Sequence, residues 1–160
     1  MAAAAVIAFG LDRLSKILIV QWFDLASLGR IEVQPPYLVL QMAWNKGINF
    51  GLFTTDGSAW VLAVSTLVIS SALTVWVRNK RGWIQPLAVG SIVGGGLGNA
   101  FDRAIYGAVA DYLNMSCCGV RNPFSFNVAD VFIFCGVLLL IVGGRKDSQH
   151  GVRTPPPAAP

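Results

Sequence analysis

Residues 58–77 contain no charged side chain and consist mainly of Ala, Val, Leu, Ile and Trp, with a few Ser and Thr. An α-helix needs about 20 apolar residues to cross the hydrocarbon core of a bilayer, so this run is long enough to span one. Trp60 and Trp76 lie near its ends, where aromatic side chains favour the boundary between lipid and water. The run therefore predicts a membrane-spanning helix, whose role is structural.

Three further apolar runs are long enough to form spans, and they cover residues 1–23, 83–106 and 126–144. Hydrophobic residues make up 54% of the chain and charged residues 12%. A soluble domain carries about 25% charged residues, so the composition favours a membrane protein. We therefore predict a single integral membrane domain over residues 1–144, an all-α bundle of four transmembrane helices.

The first run is interrupted by Asp12, Arg13 and Lys16. A secretory signal peptide carries its charges before the apolar core, whereas these lie within it or after it, so we expect an uncleaved first helix. Asp12 and Lys16 are four residues apart and share a helix face. They are interpreted as a self-neutralising structural pair in the bundle interior, with a direct contact to substrate or lipid as the alternative.

Two polar segments, residues 24–57 and 107–125, separate the apolar runs. Within the first segment, residues 31–34 and 37–44 are rich in β-favouring side chains and flank a proline turn. This pattern predicts a small β-platform outside the membrane after the first helix, with an ordinary connecting loop as the alternative. The second segment is expected to be an outer loop.

Basic side chains collect on one side of the predicted bundle. Residues 78–81 contain three of them, and Arg145 and Lys146 follow the last run. Because cytoplasmic loops are enriched in Lys and Arg, both termini are predicted to be cytoplasmic. The net charge of +4 reflects this asymmetry and does not indicate a nucleic-acid partner. Residues 145–160 are charged and then proline-rich, which predicts a disordered cytoplasmic tail.

The cysteines and the histidine offer no metal or redox pattern. Cys117, Cys118 and Cys135 lack the spacing of a metal site, and a bridge between the adjacent Cys117 and Cys118 would be strained, so no disulfide framework is expected. The single histidine, His150, lies in the polar tail, which argues against zinc chemistry. We predict neither a metal nor a cofactor.

Glycines recur at intervals of four in the third run, at Gly90, Gly94 and Gly98. They share one helix face and allow a neighbouring helix to approach closely. The cluster at residues 94–98 is preceded by no predicted strand and followed by no GKS or GKT, so it does not indicate a nucleotide-binding loop. Helix packing is the better explanation.

Three carboxylates, Asp102, Asp111 and Asp130, lie at the outer ends of the third and fourth runs. A charge in hydrocarbon is costly, so ionisable residues at such places are functional candidates. Two carboxylates that share a partly desolvated site hold one proton between them near neutral pH. The ionised member can then activate a water while the protonated member polarises a carbonyl. Asp111 and Asp130 suit this chemistry because each stands where a helix meets an outer loop.

Polar side chains accompany these acids. Asp102 adjoins Arg103 and follows Asn99 by three residues, so it is interpreted as a structural or orienting group. Asn99 and Arg103 are four apart and could together hold a peptide carbonyl or a developing oxyanion. Asn127 lies three residues before Asp130 and either caps the last helix or orients that acid.

Five motifs follow one another along the chain: residues 11–16 (LDRLSK), 45–50 (NKGINF), 98–103 (GNAFDR), 107–112 (GAVADY) and 126–130 (FNVAD). In this order and at these separations, they resemble the DxxxK, NxGxAF, GNxxDR, GxVxDF and FNxAD motifs of bacterial lipoprotein signal peptidase, also called signal peptidase II. The chain departs from the family pattern at two positions. Asn49 stands where the family has a small residue, which affects substrate fit near the platform, and Tyr112 replaces a Phe.

The resemblance implies an aspartyl endopeptidase of the bacterial cytoplasmic membrane that cleaves the signal peptide of prolipoproteins just before a diacylglyceryl-modified cysteine. It implies that Asp111 and Asp130 are the catalytic pair, near the outer leaflet. The implied partners are the lipid-modified substrates and membrane lipid, and we expect a monomer. The matched motifs also supply a polar shell around the acids and a set of structural polar residues: Asn45, Gly47, Asn99, Arg103 and Asn127 for the shell, and Asp12, Lys16 and Asp102 for the structural set.

Two other functions are alternatives to this one. A proton-coupled transporter would also place acids in a helix bundle, but it more often shows internal repeats and polar groups at mid-membrane depth. A Ser-Lys membrane peptidase could use Lys16, but no spacing brings a particular serine to that lysine, and Asp111 and Asp130 would be idle.

Overall fold

The computed structural model describes residues 1–47, 58–80 and 82–150. In these ranges the chain forms five α-helices, one of which continues as a π-helical segment over Ile17–Trp22, and three β-strands. The helices are α1 (Ala2–Lys16), α2 (Leu25–Leu28), α3 (Ser58–Val77), α4 (Ile84–Tyr106) and α5 (Val128–His150). The strands are β1 (Arg30–Gln34), β2 (Leu38–Asn45) and β3 (Val109–Met115).

Helix α4 is the centre of the bundle, since α1, α3 and α5 all pack against it. Its glycines make this possible. A methyl group added at Gly90 or Gly94 would collide with the backbone of α1, and one added at Gly95 would collide with the Ala129 carbonyl of α5. Gly98 lies against the side chain of Asp12 on α1. The predicted packing role of the glycine face is confirmed.

The outer surface of the bundle is apolar. Large side chains of α1 and α3 are more than half exposed, as at Leu14, Trp60 and Val68. Soluble monomers rarely expose contiguous apolar surfaces of this kind, and such surfaces mark contact with a membrane or another protein. Within the described ranges, one helix, Ala59–Val77, is long and apolar enough to cross a bilayer, and Val128–Gly144 is a shorter apolar helix. The count of four spans therefore stays a prediction.

The three strands form one antiparallel sheet in the order β1-β2-β3. The predicted pair of strands after the first helix is confirmed as β1 and β2. The third strand was not predicted, because Asp111 and Asn114 are residue types that strands disfavour. In the sheet, β3 pairs with β2 so that Ala43 lies opposite Asp111 and Asn45 lies opposite Val109.

The sheet is held to the π-helical segment and to α2 by an apolar cluster of Val20, Leu25, Leu40, Ala110 and Tyr112. Successive side chains of a strand point to opposite faces. Since Ala110 and Tyr112 enter this cluster, Asp111 between them points to the other face of the sheet. The packing of the platform thus decides the direction of that carboxylate.

The structure differs from the sequence predictions at two further places. Helix α5 continues over residues 145–150, where the tail was expected to begin, and Lys and Arg near a helix C-terminus favour such an extension. Cys117 and Cys118 are joined by a disulfide, which corrects the expectation that they stay unbridged. The remainder of the predicted platform, residues 48–57 with Asn49, and the tail beyond residue 150 lie outside the described residues.

Candidate active site

A cavity of about 170 Å³ lies where the sheet meets the C-terminal end of α4 and the N-terminal end of α5. Strand β2, the segment after it, helix α4, strand β3 and the first turn of α5 all contribute to its wall. The lining residues are Asn45, Gly47, Asn99, Arg103, Val109, Asp111 and Asp130. Except for Val109, each of them was a candidate on sequence grounds, so the fold brings together residues from four separate motifs.

Asp111 is buried, with 3% of its surface exposed, and its carboxylate accepts two amide hydrogen bonds. Asn45 Nδ2 donates to Oδ2 at 3.1 Å, and Asn127 Nδ2 donates to Oδ1 at 2.6 Å. Burial and, next, the nearby charge of Asp130 together raise the pKa of Asp111 to about 7, against the opposing effect of the two hydrogen bonds. The group therefore retains a proton close to neutral pH.

Asp130 lies in the first turn of α5 and forms a reciprocal cap with Asn127. Asn127 Oδ1 accepts the Asp130 N–H at 3.0 Å, and Asp130 Oδ2 accepts the Asn127 N–H at 3.2 Å. This exchange satisfies backbone donors that a helix N-terminus otherwise leaves unpaired. The other carboxylate oxygen, Oδ1, accepts a hydrogen bond from Asn99 Nδ2 at 2.9 Å. Asn127 thus both caps the helix and orients Asp130.

Two asparagines connect the two acids. Asn127 Nδ2 donates to Asp111 Oδ1 and also to Asn99 Oδ1, at 3.1 Å. Asn99 in turn donates to Asp130. Both amide side chains are buried, at 0% and 8% exposure. The pair of acids is therefore surrounded by neutral hydrogen-bond donors on the protein side, and its other side faces the cavity.

Arg103 extends from α4 towards the cavity, and its Nη2 donates to the Gly47 carbonyl at 3.5 Å. The sequence suggested that Arg103 partners the adjacent Asp102, and this was wrong. Neighbouring residues of a helix point in different directions. Asp102 faces α1 instead, where Arg13 Nη2 lies 2.7 Å from its Oδ1 and Lys16 Nζ lies 2.6 Å from its Oδ2.

Asp12, Arg13, Lys16 and Asp102 form a buried group that we call the charge cluster. Both cations also contact Asp12 Oδ2, Arg13 at 2.8 Å and Lys16 at 3.0 Å, so each cation bridges the two acids. The predicted pairing of Asp12 with Lys16 is confirmed. The sequence predicted no role for Arg13. Two cations beside a single acid in an apolar run were nevertheless a signal that a second acid lies nearby in the fold.

The site is built from carboxylates, amides and one guanidinium. In the part of the chain that the structure describes, no three His, Cys, Asp or Glu residues are grouped so that they could hold a metal ion. Lys16 is engaged by two carboxylates rather than by a serine, which gives no support to a Ser-Lys pair. The arrangement is suited to acid-base chemistry on a water molecule.

Comparison with solved structures defines the class of protein. One described as a bacterial membrane enzyme, solved by the in meso method at 2.3 Å resolution, superposes with a TM-score of 0.76 at 26% identity, covering 96% of this chain and 92% of that one. A second bacterial membrane enzyme structure, solved by the same method at 1.9 Å, gives a TM-score of 0.73. The fold of this chain is thus that of a helical membrane enzyme with a small sheet.

The family follows from the sequence comparisons. The signal peptidase (SPase) II family matches residues 4–144. The lipoprotein signal peptidase of Methylorubrum extorquens is 35% identical over 157 residues, which covers 94% of this chain and 88% of that protein. That of Nitrobacter hamburgensis is 36% identical over 163 residues, covering 98% and 94%. The chain belongs to the signal peptidase II family of proteases, and the resemblance of its motifs to that family is confirmed.

Proposed function

We propose that this chain is an intramembrane aspartyl endopeptidase. It cleaves the signal peptide of diacylglyceryl-modified prolipoproteins immediately before the lipid-carrying cysteine. The observation that carries the proposal is that Asp111 and Asp130, from different elements, line one cavity and are linked through the side chains of Asn99 and Asn127. The relatives at 35–36% identity are named lipoprotein signal peptidases, which supplies the substrate class.

The two acids share one proton in the resting enzyme. Asp111, with its pKa raised to about 7, carries that proton at neutral pH. We assign the ionised form to Asp130, since it lies at the N-terminus of α5 and its carboxylate accepts hydrogen bonds from Asn99 and from the Asn127 backbone. One acid and one base are therefore present at the same cavity, as general acid-base catalysis requires.

With Asp111 as the acid and Asp130 as the base, hydrolysis proceeds in two stages. Asp130 removes a proton from a water molecule as the water oxygen attacks the scissile carbonyl carbon, and Asp111 gives its proton to the carbonyl oxygen. The tetrahedral intermediate then collapses as the carbon–nitrogen bond breaks. Asp130 delivers its proton to the leaving amine, and Asp111 regains its proton from the new carboxyl group. Asn45 and Arg103, at the cavity wall, hold the peptide carbonyls in line.

The lipid of the substrate supplies binding energy and sets the depth of the reacting cysteine in the membrane. Each buried methylene contributes about 0.8 kcal/mol, so a diacylglyceryl group can hold the reacting cysteine at the level of the membrane interface. We place the protein in the bacterial cytoplasmic membrane as a multi-pass monomer, with both termini cytoplasmic and the cavity towards the outer leaflet. The basic residues between α3 and α4 and at the end of α5 support this orientation.

Isosteric substitution of the two acids tests the proposal. Asp111→Asn and Asp130→Asn are each expected to lower kcat for a diacylglyceryl precursor by at least about 1,000-fold while the protein stays folded. Asp24→Asn is the matched control, because Asp24 is an exposed carboxylate outside the cavity with a left-handed backbone that Asn tolerates. Normal activity in either cavity variant, with Asp24→Asn behaving like wild type, would refute the pair.

A further inference from the structure

The charge cluster contacts the backbone beside each of the two acids of the cavity. Asp12 Oδ1 accepts the N–H of Ala129 at 3.1 Å, and Ala129 immediately precedes Asp130. Asp102 Oδ2 accepts the N–H of Ala110 at 3.2 Å, and Ala110 immediately precedes Asp111. The two buried carboxylates of the cluster therefore each hold the chain one residue before an acid of the cavity.

The cluster also fixes its own two carboxylates relative to each other. Arg13 and Lys16 each lie within 3.0 Å of both Asp12 and Asp102. Asp12 belongs to α1 and Asp102 to α4, so the cations join two helices. Through the Ala110 and Ala129 N–H groups, this junction is extended to β3 and to α5. Four elements, α1, α4, β3 and α5, thus meet at one cluster, and two of them carry Asp111 and Asp130.

The two cations are not equivalent. Lys16 Nζ also lies 3.4 Å from Asn99 Oδ1, and the Nδ2 of the same amide donates to Asp130. Arg13 instead lies over the ring of Phe101, with its guanidinium carbon 5.0 Å from the ring centroid. A cation attracts the oxygen of an amide and repels its NH₂ group, so Lys16 favours the orientation in which Asn99 Nδ2 faces Asp130, together with Asn127 Nδ2, which donates to the same oxygen.

We propose that the charge cluster is a positioning device for the peptidase reaction, and that Lys16 is the positioning residue that orients Asn99 towards Asp130. Arg13 supports the same two carboxylates without reaching the amides. This proposal rests on the function proposed above, since it assigns the residues that hold the acid pair in its reactive geometry. It assigns the cluster an effect on the chemical step beyond its contribution to folding.

A substitution at Gly98 offers a second, independent way to perturb the charge cluster. A methyl group at this position would lie 2.5 Å from Asp12 Oδ2, which is closer than real Cβ contacts. Gly98→Ala therefore displaces the Asp12 carboxylate while all four charges remain. Gly10→Ala is its matched control, because a methyl group at Gly10 would have no neighbour within 4 Å and Gly10 also lies inside a helix.

The experiment compares Lys16→Met, Lys16→Arg and Arg13→Met with wild type in lipid nanodiscs. For each, kcat and KM are measured on a diacylglyceryl precursor peptide, and the thermal unfolding midpoint is recorded. A small misplacement of reacting groups costs about 100-fold in rate, so we expect a kcat loss of that order in Lys16→Met with KM little changed. Lys16→Arg should recover part of it, and Arg13→Met should lose less than about tenfold.

The outcomes separate positioning from folding. Equal kcat losses in Lys16→Met and Arg13→Met, in proportion to their losses of thermal stability, would overturn the proposal. A rise in KM with kcat unchanged would overturn it too. If Lys16→Met does not fold, Gly98→Ala decides: a fall in kcat relative to Gly10→Ala supports positioning, and an unchanged kcat refutes it. Wild-type protein that leaves the precursor intact would instead refute the proposed function itself.

Discussion

Two pairs of carboxylates lie side by side in this molecule, and their surroundings differ. Asp12 and Asp102 are bridged by two cations, so the formal charges of the charge cluster sum to zero. Asp111 and Asp130 are surrounded mainly by neutral amides, and burial raises the pKa of Asp111 to about 7. Cations balance the negative charges of the first pair, whereas neutral amides leave the charges of the second pair unbalanced. The first pair is therefore suited to holding structure and the second to moving protons.

The comparison predicts losses of stability of very different size when one acid of each pair is made neutral. Asp102→Asn leaves two buried cations with a single carboxylate, and breaking a buried ion pair in this way costs about 3–5 kcal/mol of unfolding free energy. At pH 8, Asp111→Asn should cost much less. The folded-state pKa of Asp111 lies above its ordinary value of 3.8, so its ionisation destabilises the fold progressively between pH 3.8 and about 7 and fully above.

Thermal unfolding of both variants in detergent, measured at pH 5 and pH 8, checks this contrast. The unfolding midpoint of Asp111→Asn relative to wild type should be higher at pH 8 than at pH 5. Asp102→Asn should be strongly destabilised at both pH values. A destabilisation of the same size in both variants at pH 8 would show that the two pairs are not energetically distinct.

The asparagine side chains that connect Asp111 and Asp130 predict the next largest effect. Asn127→Ala removes the contact with Asp111, the contact with Asn99 and the helix cap. We expect kcat to fall by about 100-fold through misplaced acids, and stability to fall by about 1 kcal/mol through loss of the cap. Steady-state kinetics and thermal unfolding of one preparation give both values.

Asn114→Ala is the control for that experiment. Asn114 is also a buried asparagine, and its Nδ2 donates to the carbonyls of Asn122 and Phe124 at 2.9 Å, away from the cavity. It should lose stability and keep most of its kcat. Equal kcat losses in the two variants would mean that the Asn127 effect comes from general destabilisation.

The shared proton predicts a smaller, spectroscopic effect. In the proposed mechanism Asp111 carries the proton that polarises the carbonyl, so kcat/KM should decline as pH rises above about 7. In Asp130→Asn the charge that helps raise the pKa of Asp111 is gone while burial remains, so that pKa should move down without reaching its ordinary value. Infrared titration of the protonated carboxyl band measures it. An Asp111 pKa unchanged by Asp130→Asn would mean that the acids are not coupled.

Much of the architecture could be predicted because it depends on local pattern. The apolar run at residues 58–77 gave the bounds of α3, and alternating β-favouring side chains around the prolines gave β1 and β2. The candidate acids were found because charges are rare in apolar surroundings. The glycine face of α4 followed from a repeat of four, which is itself a local signal.

The remaining features depend on contacts between distant parts of the chain. Strand β3 forms only because β2 offers it a partner, and its Asp and Asn gave no local strand signal. The partner of Asp102 was misassigned because adjacency in sequence was taken for adjacency in space, although consecutive helix residues diverge. The role of Arg13 becomes visible only when α1 and α4 are brought together.

The most direct test of the central claim uses the purified protein, a diacylglyceryl precursor peptide and the same peptide without the lipid. Mass spectrometry reports the cleavage site. We predict cleavage of the lipid-bearing peptide alone, immediately before the modified cysteine, and no product with Asp111→Asn or Asp130→Asn. Cleavage that persists in both variants, or proton-coupled flux in liposomes without any peptide product, would contradict the assignment of the amide-linked acids as the catalytic pair.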